Sequence, residues 1–554
     1  MHLDISTLQR NGRTYKRVLL RTSYRENGKV KKRTLANLSA CSDEEIEAIQ
    51  LALRHKHDLA QVGSVEEALS MQQGPSVGAV WLVYQVARRL GIATALGHSR
   101  EGKLALWQVI ARVIDQGSRL SAVRLAGHHA ACDVLDLAPF HEEHLYANLD
   151  WLHAYQVEIE NKLFRKASAG QNTELFLYDV TSSYLEGEKN PLAAFGYNRD
   201  GKKGKRQIVI GLLCDRKGTP LSIEVFAGNT QDTQTFASQV SKVAERFGGG
   251  AVTFVRDRGM IKGPQIEELK AYEEHEFHYI TAITKPQIEK LLAQGDIQMG
   301  LFDQPLAEVQ VEDDLRYVLR RNPSRAEEIK RNREDKYQAL CQIIDEQNRY
   351  LQQHPRATLD AARRKIERKS QQLKIDKWVV VSSQERTMTL SKDHEQLQKI
   401  AQLDGCYVLR TDLSPAAASK ELVHGRYKDL ALVEWAFRTS KTVQLEMRPL
   451  HLRLANRTRA HAFVVMMAYR IVKELASCWR SIDLTVEEAL QELNALCATE
   501  VSMAGKGAYH RIPEPRELSK QLLEAANVKP PTFLPSKGAK VVTKKKLTSS
   551  RKAA

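Results

Sequence analysis

Three carboxylates stand out in this 554-residue chain by the company they keep. Asp179 closes the apolar run Leu175-Phe176-Leu177-Tyr178, which reads as a strand buried on both faces. Asp257 closes a second such run, Thr253-Phe254-Val255-Arg256. Glu434 sits in the middle of RYKDLALVEWAFRTSKTVQLEMRP, where apolar residues recur at helical spacing. Taken singly, each has an ordinary use: Asp179 can start a turn, Asp257 can cap the next helix, and Glu434 can form an i,i+4 pair with Arg438. Taken together they suggest more, because aspartates at the carboxyl ends of strands lie where α/β sheets place ligands. Clustered carboxylates repel one another unless a proton or cation lies between them. Mg²⁺ suits such a site, since it takes one or two carboxylates and keeps positions for water and phosphate oxygens. A third carboxylate from a helix lets two metals straddle one phosphate.

The Glu434 helix, read as about 426–446, carries further polar groups on the same side. Tyr427, Glu434 and Lys441 are seven residues apart and share a face with about 20° of drift per heptad. Arg438 joins them, four residues after Glu434 and three before Lys441. Such a face suits a phosphate backbone: the cations meet phosphates while the carboxylate holds metal. Arg256 and Arg258 flank Asp257 and either contact DNA or lower its pKa. Thr181, Ser182 and Ser183 are read as groups that orient Asp179.

Around these residues the chain changes character several times. Residues 1–40 alternate basic and apolar positions about Asn11-Gly12 and Asn27-Gly28, the dipeptide that best marks a hairpin, and predict strands near 13–22 and 29–36. Arg17, Arg21, Lys29, Lys31 and Arg33 are expected on one polar face. From about 43 to 167 the spacing is helical. Strands are predicted at 174–179, 206–214, 220–227, 251–256 and 277–284, with helices at 233–247 and 264–274: an α/β sheet of mixed direction. The stretch 286–425 interrupts it, and its charged centre 324–375 reads as a helical hairpin broken at His354-Pro355. Short strands follow at 378–382 and 405–411, and a second strong helix at 457–479. The tail from Pro530 is too polar and basic to bury a core, and reads as a disordered arm.

A net charge of +16 points to a polyanionic partner, nucleic acid before an anionic membrane surface. The longest apolar stretches, 208–214 and 462–468, are well short of a membrane span, and no secretory signal opens the chain. Seven scattered cysteines argue for reduced thiols rather than a disulfide framework or a zinc knuckle. A cytoplasmic protein, nucleoid-associated when bound to DNA, is expected.

The order Asp179, Asp257, Glu434 resembles the DDE transposases of bacterial insertion sequences. The last helix resembles their Tyr-x2-Arg-x3-Glu-x6-Lys signature, with Tyr427, Glu434 and Lys441 in place and Leu430 where the arginine belongs. GNTQDTQTF at 228–236, DRGM at 257–260, LDGCYVLRTD at 403–412 and RPLHLRLANRTRAHAFV at 448–464 extend the likeness over about 174–480. The resemblance implies a multidomain α/β fold whose ribonuclease-H-like mixed-sheet core is interrupted by an insertion domain. The domains expected are a basic β meander (1–42), a helical DNA-end-binding domain (43–167), the first part of the core (168–285), the insertion (286–425), the second part of the core (426–500) and a C-terminal extension (501–554). It further implies that Asp179, Asp257 and Glu434 bind two Mg²⁺ ions, with Mn²⁺ able to substitute. Water then cleaves the element's end, and the freed 3′-hydroxyl attacks target DNA. Tyr427 and Lys441 inherit phosphate contacts near the cut, with Arg438 a candidate to replace the missing arginine. The partners implied are double-stranded DNA, as terminal inverted repeats and as target, and a second subunit on that DNA. Two other readings share the carboxylates: a ribonuclease-H-like nuclease without strand transfer, and a silent DNA-binding derivative.

Overall fold

The computed structural model describes residues 1–10, 13–57, 69–168, 174–247, 251–257, 263–270, 272, 275–312, 314–442, 444–503, 507–535 and 541. The Asn11-Gly12 turn, Arg258 and nearly all of the basic tail lie outside the described residues. The chain divides into two compact units, one of Met1–Pro75, Cys497–Glu514 and Pro531–Gly538, the other of Ser76–Leu496, Pro515–Pro530 and Ala539–Ala554.

In the first unit, His2–Arg10, Arg13–Glu26 and Lys29–Asn37 form an antiparallel meander. Asn27 and Gly28 both take positive φ, 46° and 75°, as the tight hairpin turn between paired Glu26 and Lys29 requires. The register corrects one expectation. Lys29, Lys31 and Arg33 stand opposite Glu26, Tyr24 and Thr22, so they share the face of the even-numbered residues. Arg17 and Arg21 point to the other face, and Arg21 is bound to Asp4 at 2.5 Å. The basic residues are thus split between two faces. The second sheet of this unit orders its strands as Phe533–Pro535, Gly507–Arg511, Cys497–Met503 and Leu69–Ser76, so the C-terminal extension supplies three of its four strands.

The second unit is mixed α/β with a large mixed sheet and many helices. Its eight strands are β1 (Leu175–Tyr184), β2 (Gln207–Asp215), β3 (Pro220–Ala227), β4 (Ala251–Arg256), β5 (Glu276–Ala282), β6 (Ala307–Glu312), β7 (Leu315–Arg321) and β8 (Cys406–Thr411). Their order across the sheet is β6-β7-β8-β5-β4-β1-β2-β3. β1, β2 and β3 are antiparallel neighbours, whereas β4 runs parallel to β1 and β5 parallel to β4. β8 then joins β5 antiparallel, with Leu409 beside Ala282.

This order changes two of the expected boundaries. Strands from both ends of 286–425 extend the main sheet, because β7 and β8 each carry a buried centre that can close only against β5 and its layer. Only the segment between them has a core of its own. It comprises the helices Pro323–Gln353 and Leu359–Leu373, the hairpin Val379–Gln384 with Thr387–Lys392, and the helix His394–Ala401, packed around Leu340, Ile344, Ile366, Trp378 and Met388. Nor does the helical stretch after Ser76 stand apart from the sheet. The helix Ala455–Cys478 is buried along its length from Ala460 to Val472, and it packs on the helices Arg100–Ile114 and Glu142–Ser168 and on β3. A helix apolar on all sides needs cover on all sides. Glu160 of the helix Glu142–Ser168 is itself tied to Ser222 of β3 at 2.9 Å and to Arg246 at 2.8 Å. Among the described residues, no helix is long and apolar enough to cross a membrane.

Candidate active site

β1 and β4 are parallel neighbours whose last paired residues are Leu177 and Val255. Two residues further along each strand stand Asp179 and Asp257. Asp179 does not end its strand as expected: β1 runs on to Tyr184 because β2 continues to pair with it, Thr181 beside Ile210 and Tyr184 beside Gln207. What ends at Leu177 is the pairing with β4, and this opens a gap in the sheet beside Asp179. Alternation then divides the side chains. Phe176, Tyr178 and Val180 enter a core with Phe236, Val240 and Phe254. Asp179 and Thr181 face the cleft on the other side.

The residue before each aspartate fixes the pair in place. Arg256 is fully buried, with its guanidinium 4.3 Å from the ring centres of both Tyr178 and Phe236. Close cation–ring contacts of this kind give a buried guanidinium a favourable electrostatic environment. Arg256 therefore locks the ends of β1 and β4 together from inside the core and has no surface to offer DNA. Gly211 of β2 makes room for this packing, since a Cβ there would lie 2.2 Å from the Tyr178 hydroxyl.

The helical sequence around Glu434 is two helices, Lys420–Lys428 and Leu430–Lys441, broken at Asp429. In the second, Leu430, Val433, Ala436, Phe437 and Ser440 are buried while Glu434, Trp435 and Arg438 are exposed. That spacing is one apolar stripe and one open face. Leu430, at the place of the signature arginine, is a core residue. Tyr427 stands in the first of the two helices, its hydroxyl donating to Asp257 Oδ1 at 3.1 Å.

An open cleft of ≈ 390 Å³ collects the result. Asp179, Asp257 and Glu434 all line it, with Arg438 and Lys441 from the same helix and Arg199 and Arg448 from loops. Burial, reinforced by the charge of Asp257, pushes the Asp179 carboxyl up to about 7, although the Val180 N–H pulls it back. Among the described residues, no three His, Cys, Asp or Glu side chains are already gathered to hold a metal. The three carboxylates share the cleft without converging on one point. As donors they are hard oxygens, which fit a divalent cation of the Mg²⁺ type.

Residues 3–66 match the IS1634 family transposase N-terminal domain, and residues 170–471 match the transposase DDE domain. The chain belongs to the DDE transposases. It is thus a polynucleotidyl transferase of an insertion sequence, acting in DNA transposition. DDE transposases typically use divalent metal ions. No curated protein matches the sequence. Among solved structures, the cryo-EM structure of the piggyBac transposase synaptic complex with hairpin DNA is similar over 82% of this chain and 82% of its own, at 9% identity and a TM-score of 0.35.

Two acidic residues of the transposase cleft escaped the sequence reading. The side chain of Asp200 is buried and binds Lys441 at 2.9 Å and Arg448 at 2.6 Å. Its other oxygen accepts the Tyr184 N–H at 3.2 Å. Lys441 is itself buried, and burial lowers its pKa against the pull of Asp200. Asp232 pairs with Arg199 at 2.5 Å. Both aspartates lie in Gly-, Asn- or Thr-rich turns, where an aspartate reads as turn chemistry. Ser182 and Ser183 do not orient Asp179. The Ser182 hydroxyl accepts the Arg199 N–H at 2.9 Å, and the Ser183 hydroxyl is buried with no partner among the described residues.

Proposed function

We propose that this cleft cleaves the ends of the insertion sequence and joins them to target DNA, with Asp179, Asp257 and Glu434 as the ligands of two Mg²⁺ ions. The observation that carries the reading is the meeting of those three carboxylates in one cleft with Arg199, Arg438 and Arg448 around them. Further support comes from the strand pattern: three antiparallel strands followed by two parallel ones, with the aspartates on neighbouring central strands, is the arrangement of a ribonuclease-H-like core. When bound, the two cations activate the attacking oxygen and stabilise the leaving one; Mn²⁺ can take their place.

The chain's own groups do the rest. Tyr427 holds one oxygen of Asp257 and so sets the direction of the other. Arg438 and Arg448 meet the phosphates on either side of the reacting one. Lys441, held by Asp200, presents a fixed positive charge at the base of the cleft instead of a mobile phosphate contact. Arg256 and Leu430 act from the core. No protein nucleophile is needed, because water and then the freed 3′-hydroxyl attack phosphorus directly. We place the protein in the cytoplasm, with two subunits assembling on paired ends.

The test is to incubate the protein with a duplex carrying the element's own ends, target plasmid and Mg²⁺, and to map the cut strands and any joined products. Cuts at the element's ends with 3′-ends joined to target are expected. Cuts without joining would mark a nuclease, and end binding without cuts a silent derivative.

A further inference from the structure

A second cavity, of ≈ 300 Å³, adjoins the catalytic cleft, and Arg448 lines both. Its wall is basic: Arg112, Arg119 and Arg448 line it together with His451 and His461, and Glu446 is the one acidic side chain among the described lining residues. Arg112 is accounted for. Its guanidinium donates to the carbonyls of Gln116 and Gly117, the latter at 3.0 Å, and the charges of Glu446 and Asp115 fall on it.

Arg119 is different. It is as buried as Arg112, yet its one hydrogen bond among the described residues is to His461 Nδ1, at 3.0 Å. Among the described residues its Nε is buried with no partner, and no carboxylate pairs with it. Burial, and next to it the charge of Arg112, push Arg119 down to about 9. Burial, Arg119 and Arg112 likewise hold His461 well below its usual range, so its ring is neutral and accepts from Arg119. A buried charge without a counter-charge is costly, by several kcal/mol for a bare ion. The first turn of the helix Arg119–His128 also borders the cavity through Ser118 and Arg119, adding the partial positive charge of a helix N-terminus. Arg256 and Arg470 are also buried with guanidinium nitrogens unpartnered among the described residues, but Arg256 is sandwiched by the rings of Tyr178 and Phe236, whereas Arg119 lines an open cavity. What this site lacks is an anion.

We propose that the cavity receives a backbone phosphate of the DNA strand whose cleavage occurs next door, bound by Arg119 with His461 behind it. Arg448, shared by both cavities, marks the path of the strand from one to the other. The inference rests on the reading of the adjoining cleft as the cleavage site. It adds an anchoring point that holds the strand in register and takes no part in the chemistry.

The experiment measures affinity of the full-length protein for an element-end duplex in which single phosphates flanking the cut are replaced, one at a time, by neutral methylphosphonates. In the unaltered protein one such replacement should weaken binding about tenfold, the worth of a charge-assisted contact. In Arg119→Gln, that same replacement should no longer matter while the others keep their effects. An unchanged profile in Arg119→Gln overturns the proposal. His451 is exposed at the cavity's edge, so His451→Glu keeps the test decisive if Arg119→Gln does not fold. This variant should bind native DNA more weakly and recover when that one phosphate is neutral; an equal loss on both duplexes overturns the proposal. Binding is read without metal, so failure of the cleavage assignment would appear separately, as absent cutting by the unaltered protein in Mg²⁺.

Discussion

The catalytic cleft and the cavity beside it share Arg448 but treat charge in opposite ways. In the cleft three of the four lining cations are tied to carboxylates: Lys441 and Arg448 share Asp200, and Arg199 meets Asp232, while Arg438 is exposed. Asp257 is held by Tyr427, which leaves Asp179 and Glu434 without an ion-pair partner among the described residues. In the neighbouring cavity the surplus is positive, with Arg119 lacking a counter-charge among the described residues. The difference shows what each place is prepared to take. A cleft whose cations are mostly paired, and in which Asp179 and Glu434 are left over, suits metal cations, with Arg438 left to meet phosphate. A cavity whose spare charge is a guanidinium suits a phosphate. Between them the chain supplies complementary seats for a metal-assisted reaction and for the strand that undergoes it.

The comparison breaks most sharply at the spare carboxylates. Asp179→Ala, Asp257→Ala or Glu434→Ala should each lower end cleavage by about a thousandfold or more, as expected for loss of a metal ligand. Affinity for the end duplex, measured in parallel, should change little; retained cleavage would remove the residue concerned from the site. Asp200→Asn comes next. It leaves Lys441 buried without a charged partner, and should destabilise the protein by about 3 kcal/mol in urea unfolding. A change under about 0.5 kcal/mol would mean that Asp200 is a surface-like residue after all.

Asp179 offers a subtler test through pH. Its folded carboxyl titrates at about 7, above the ordinary 3.8, so the folded state holds this proton where the unfolded chain has already released it. Its cost to stability therefore appears as pH rises from about 4, is complete above about 7, and is absent below both values. In chelator, Asp179→Asn should raise the melting temperature at pH 8 by more than it does at pH 4.5. A gain independent of pH would contradict the assigned burial. Arg438→Ala should have the smallest effect. Arg438 is exposed, so end affinity should fall by only a few-fold, and the slope of log affinity against log salt should shrink by about one phosphate contact.

Much of this arrangement is legible in the sequence. Continuous apolar runs mark β1 and β4 wherever they lie, because only a doubly covered strand can afford them. The Asn27-Gly28 turn has positive φ at both residues, as its dipeptide predicts. The mixed direction of the sheet also follows from the spacing of strands and helices. Other features are invisible by the same logic. Nothing in DLALVE marks Asp429 as a break, since helical spacing continues through it. Asp200 lies among turn residues, and only the fold brings Lys441 and Arg448 to it across more than two hundred residues. Arg256 follows an apolar run and flanks a polar site; whether it turns inward depends on two rings, Tyr178 and Phe236, from other elements.

The sequence by itself determined many local matters: the first five strands of the main sheet and the long helices, though not the strands Leu69–Ser76, Ala307–Glu312 and Leu315–Arg321; that a basic surplus seeks a polyanion; and that Asp179, Asp257 and Glu434 are the acids worth asking about. These depend on neighbours within a turn or a strand, where periodicity and composition carry the information. The tertiary structure alone decided which charges are spent on one another and which are left over. Pairing between distant residues depends on approach and burial, and neither is written in the spacing of either partner. Arg112 and Arg119 are the same residue type seven positions apart; one is surrounded by carbonyls and the other faces a cavity with its charge unanswered.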